Sequence, residues 1–128
     1  NNEKRWTQWA GWALRDPDVN IGLWACETFR NYPCYSQVQH DAFQDAFTSS
    51  DISAVVRTQF LVQLSRSLDD SSYWNKENPG LKDRYQSDTI DMIGQLQAPL
   101  QAIAAQPTPS LERDLAAQLL AVHKAASK

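Results

Sequence analysis

Apolar side chains recur every three to four positions along most of this chain, the repeat of an amphipathic α-helix. The pattern predicts a first helix over Glu3–Leu14, with Trp6, Trp9, Ala10 and Ala13 on one face. Asp16-Pro17-Asp18 interrupts it, and Asp16 is placed to cap a second helix with Pro17 at its first position. That helix runs to Phe29 or Arg30 with Ile21, Trp24, Ala25 and Thr28 facing inward, and Asn31-Tyr32-Pro33 ends it, because a residue before proline avoids the α region. Ser36 and Gln39 have the spacing of a capping box for a third helix carrying Val38, Ala42, Phe43, Ala46 and Phe47.

Thr48-Ser49-Ser50 and Asp51 supply caps for a fourth helix, in which Ile52, Val55, Val56, Phe60, Leu61, Leu64 and Leu68 keep helical spacing. A polar stretch from Asp69 to Gly80 reads as the longest loop, and long loops in compact domains are often functional. A fifth helix over Leu81–Ala105 carries Tyr85, Thr89, Met92, Ile93, Leu96, Leu100 and Ile103, and Pro99 kinks or splits it. Pro107 and Pro109 form the next break; Thr108 is the expected cap of a last helix striped by Leu111, Leu115, Leu119 and Val122. The expected fold is all-α: one domain over residues 1–128, a compact bundle of five or six mostly antiparallel helices joined by short loops.

Length and composition agree with this. A chain of 128 residues, 42% of them hydrophobic, is large enough to bury roughly two-thirds of its unfolded surface around one core. The formal net charge of −3 and the scattering of Lys and Arg, with only Lys4-Arg5 adjacent, argue against nucleic acid as a partner. No apolar run is long enough to span a bilayer. The chain opens at Asn1 rather than Met, which fits a processed or trimmed terminus.

Two cysteines, Cys26 and Cys34, bracket the end of the second helix and the turn after it. A disulfide between them would staple helix to turn and contribute about 2–3 kcal/mol through the unfolded chain. Such a bond implies an oxidising compartment, a periplasmic or secreted location; two buried thiols in a cytoplasmic protein are the alternative. Their spacing fits neither a redox C-x-x-C motif nor a zinc site.

Catalytic chemistry finds little purchase. His40 with Asp41 and Asp45 has the ingredients of a general base, yet these residues also suit the wet face of a helix, and Ser36 is better explained as a cap. Asp88 and Asp91 form a carboxylate pair, but no Glu-x-x-His accompanies them, so no di-metal bundle is expected. Haem ligation would call on Met92 with His40 or His123, without a C-x-x-C-H attachment motif, and Met92 reads as core filler. The four glycines, at 11, 22, 80 and 94, form no phosphate loop. No cofactor or metal is expected.

The aromatic content stands out, with five Trp, three of them at positions 6, 9 and 12. Trp6 and Trp9 share a helical face and Trp12 lies farther round, so Trp12 is the one expected to be exposed. Trp and Tyr are rich in binding hot spots, and Tyr32, Tyr35, Tyr73, Trp74 and Trp12 are therefore the candidate anchors. The expected function is a non-catalytic protein-binding module whose partner is another protein: exported, and of inhibitor, immunity-factor or adaptor type. Two alternatives stand beside it, a helical sensor or carrier for a small ligand, and an enzyme using His40 with Asp41 and Asp45.

Overall fold

The computed structural model describes residues 2–31 and 37–127, and among them every side chain except those of residues 2–4, 6, 7, 28–31, 37–40 and 74. The described residues are all-helical, with no strand. Eight helices follow in order: α1 (Asn2–Leu14), α2 (Val19–Asn31), α3 (Gln37–Phe47), α4 (Ala54–Leu68), α5 (Tyr73–Glu77), α6 (Lys82–Gln95), α7 (Gln97–Ala104) and α8 (Leu111–Ala126).

The count exceeds five or six for two physical reasons. The long polar stretch contains a helical turn, α5, started by Ser72, whose Oγ accepts from Asn75 N at 3.3 Å. The fifth predicted helix is two. Its break falls at Leu96 (φ −102°, ψ 16°), three residues before Pro99. Proline then occupies the first turn of α7, where its missing N–H would have had no helical acceptor anyway. Caps also shift. Asp16 Oδ1 accepts from Asp18 N at 2.8 Å, and Asp18 Oδ1 from Asn20 N at 3.0 Å, so α2 begins after Pro17. Ser53, not the Thr48–Asp51 group, caps α4 through Val56 N, and Ser110, not Thr108, caps α8 through Arg113 N.

One core unites α1–α4 and α6–α8. It includes Leu14, Phe43, Phe47, Phe60, Leu61, Leu64, Met92, Ile93, Leu96, Leu100 and Leu119. Phe60 is its centre of aromatic packing, with ring centroids 5.9 Å from Phe43 and 5.7 Å from Phe47. Helix α4 packs against α2, α6 and α8. It is locked to α8 by Arg57, whose Nε donates to Glu112 Oε1 at 2.6 Å in a largely buried ion pair.

Helix α2 departs from the predicted orientation. Its buried face is Gly22, Ala25 and Cys26, while Ile21 and Trp24 are turned outward. The reason is steric. A Cβ on Gly22 would sit 2.7 Å from Val56 Cγ2, so α2 and α4 approach closely only through a stripe of small residues. That close approach points the bulky flank of α2 at solvent, beside α1.

Candidate functional site

The small-residue seam has a consequence on the surface. Trp24 from α2 meets Trp9 from α1 edge to face, with centroids 4.6 Å apart and planes at 83°. These two indoles, with Trp12, Ala13, Asp16 and Ile21, line an open cleft of about 430 Å³ on the α1–α2 edge of the molecule. Exposure is 38% for Trp9, 64% for Trp12, 40% for Ile21 and 54% for Trp24, values unusual for such large apolar groups in one place. The α1–α2 turn contributes Asp16, the only carboxylate of the lining among the described residues, whose Oδ1 is engaged by Asp18 N. Arg15, its chain neighbour, folds back to donate its Nε to Gly11 O at 3.2 Å and is not part of the lining.

Of the anchors named from sequence, Trp12 lies in this cleft and Tyr73 stands 68% exposed on α5. The Trp74 side chain and Tyr32 and Tyr35 lie outside the described residues, so nothing joins them to either place. Trp9, Ile21, Trp24 and Asp16 were not among the sequence-derived anchors. Trp24 and Ile21 read as core from apolar spacing alone, and the signal that relocates them is the run of small residues Gly22, Ala25 and Cys26 a third of a turn away.

Cys26 is fully buried, and its thiol donates to Val56 O at 3.7 Å. It stands free. Cys34 lies outside the described residues, so the proposed Cys26–Cys34 bond has no support in this geometry. Burial foremost, and the nearby Glu27 charge second, push the Cys26 thiol from 9.0 up to about 12.

The remaining chemistry is dispersed. Asp41 and Asp45 are exposed on α3, and the His40 side chain lies outside the described residues. Asp88 sits within 4.0 Å of Arg84 one turn earlier on α6, and Asp91 is exposed. Met92 is buried in the core, and His123 packs its imidazole against Gly94, with Nδ1 3.3 Å from Gln97 Nε2. Among the described residues no group of three His, Cys, Asp or Glu side chains is placed to hold a metal ion, and no helix is long and apolar enough to cross a membrane.

The chain matches no protein-family model, no curated protein and no solved structure, so the reading of this site rests on its own geometry.

Proposed function

We propose that this chain is a non-catalytic protein-binding module of inhibitor, immunity-factor or adaptor type. The module acts outside the cytoplasm, and its helices form a compact bundle that holds the α1–α2 edge rigid as a docking face. The observation that carries this reading is the gathering of Trp9, Trp12, Ile21 and Trp24, all more than a third exposed, around one cleft. Leaving such area in water lowers solubility and adds nothing to the core; covering it with a partner releases that water and supplies the desolvated indole anchors typical of binding hot spots.

The test is affinity capture from native extract with matched baits. Wild-type protein and Leu111→Ala, a change at an exposed residue outside the cleft, retain the same partner, while Trp12→Ala loses it, by about 2 kcal/mol or more, roughly thirtyfold in affinity. Trp12 is the most exposed of the three cleft indoles, so its removal leaves the melting temperature within about 2 °C of wild type. A partner retained equally by Trp12→Ala excludes this face.

A second reading of the same cleft is a small-ligand carrier, which has the volume in its favour, about 430 Å³, and the openness of the lining against it. Native mass spectrometry of freshly purified protein separates the two: a co-purifying small molecule favours the carrier.

A further inference from the structure

We propose that the partner's anchor in the Trp9–Trp12–Trp24 cleft is an arginine side chain, a reading that rests on the docking function above and specifies its chemistry. Three features select the occupant. The lining presents three indoles, and indole faces are the best aromatic acceptors for a cation. Its one charged member among the described residues is Asp16, half-exposed, with Oδ1 already engaged by Asp18 N. No basic side chain lines the cleft among the described residues; in the same turn but outside the lining, Arg15 is turned back to Gly11 O and Asp18 Oδ1 accepts from Asn20 N.

An aliphatic plug would fit the indoles but would strip water from the Asp16 carboxylate without replacing its hydrogen bonds, a costly exchange. A cation satisfies both. Arginine fits better than lysine, because its planar guanidinium stacks on an indole while its N–H edge donates to a carboxylate, and because it is more weakly hydrated. The openness of the cleft decides between a side chain and a free small cation. A free ion would remain mostly in water, whereas a side chain arrives with a protein surface that also covers Trp12 and Ile21.

The test uses the intact protein and model peptides, read by the indole N–H resonances of Trp9, Trp12 and Trp24 in heteronuclear NMR. The probes are acetyl-Gly-Arg-Gly-amide, its lysine, norleucine and glutamate counterparts, and tetramethylammonium. The arginine peptide shifts the three cleft indoles saturably and leaves the other tryptophans unchanged. It binds at least about threefold more tightly than the lysine peptide or tetramethylammonium, while norleucine and glutamate peptides shift nothing. Asp16→Asn keeps the oxygen that accepts from Asp18 N, so the turn persists, yet it weakens the arginine peptide about fivefold, a loss that raised salt reproduces.

Equal shifts from the norleucine peptide overturn the cation assignment while leaving a protein-docking face in place. Equal shifts from lysine or tetramethylammonium overturn the choice of arginine. Absence of any shift, or shifts that follow protein concentration alone and so report a second copy in the cleft, overturns the proposal. In every case the Trp12→Ala capture experiment judges the docking function independently.

Discussion

Adding one methyl group at Gly22 should destabilise this protein although it improves a helix. An ideal Cβ there lies 2.7 Å from Val56 Cγ2, 3.2 Å from Val56 Cγ1 and 3.4 Å from Leu14 O. Carbon atoms are most comfortable about 3.5–4.0 Å apart, so the first contact overlaps by about 1 Å. None of these neighbours yields easily. Val56 is buried and β-branched, with one favoured rotamer in a helix, and Leu14 O is backbone. The relief available is for α2 to move away from α4, which loosens the seam around Ala25 and Cys26 and shifts Trp24 relative to Trp9.

Overpacking of this kind costs about 1–3 kcal/mol, against a gain of about 0.5–1 kcal/mol for alanine over glycine in a helix. The net expectation for Gly22→Ala is a loss of about 1–2 kcal/mol. Gly11→Ala is the internal control, because Gly11 is also helical and buried, but its added Cβ meets only Ala42 O at 3.6 Å and Ala42 Cβ at 3.9 Å, ordinary contact distances. There the propensity gain survives and stability rises by about 0.5–1 kcal/mol. Urea unfolding followed by circular dichroism measures both, and pairing Gly22→Ala with Val56→Ala should shrink its penalty, since the clashing methyls are gone. A Gly22→Ala variant as stable as Gly11→Ala would refute the close α2–α4 approach on which the cleft depends.

Three further outcomes follow from the same packing. Arg57→Met strands Glu112 in a largely buried site and costs about 2–3 kcal/mol in urea titrations, less than a fully buried pair because Arg57 keeps partial contact with water; Arg57→Met with Glu112→Leu recovers most of that loss. Gln63 is 1% exposed and neither of its amide atoms is hydrogen-bonded among the described residues, so Gln63→Met raises stability by about 1 kcal/mol, and a fall instead would mean that the amide is satisfied by bound water. The Cys26 thiol, raised from 9.0 to about 12, resists thiol reagents until the protein unfolds. Because the folded state holds that proton more tightly than the unfolded chain, the associated stability is fully present below about pH 9 and declines toward pH 12, by up to about 4 kcal/mol; unfolding free energy measured across that window should fall more for wild type than for Cys26→Ala.

Much of the helical order was legible in the chain. The buried positions Val56, Phe60, Leu61 and Leu64 of α4, Leu119 of α8, and Phe43 and Met92 follow from spacing alone, because a helix must bury its apolar stripe; Val55 and Leu111, expected on the same stripes, are instead exposed, α8 buries Glu112 and Ala116, and Ile52 is buried just before α4 begins. What spacing could not reveal was which stripe wins when two compete. On α2, Ile21 and Trp24 look more hydrophobic than Gly22, Ala25 and Cys26, yet close helix approach favours the smaller set and turns the larger one outward. Cap positions slipped for a similar reason: Ser53 and Ser110 bond the next turn in the geometry the chain adopts, while Asp16 is spent on the turn itself. Asn75 was equally hidden. It reads as a loop residue, but it is buried and donates to Ser67 O at 3.1 Å and Asp69 O at 2.7 Å, closing the end of α4. The cleft, assembled from two helices and the turn between them, could not be seen from either helix alone.

The most direct trial of the docking face is site-specific photocrosslinking in native extract. A benzophenone amino acid placed at position 21, which lines the cleft and keeps all three of its indoles, is compared with the same group at Leu111, which is 61% exposed outside the cleft. The account predicts one discrete protein adduct from position 21, diminished by excess arginine peptide, and none of that species from position 111. The same adduct from both positions, or none from position 21 while another exposed site yields one, would contradict it.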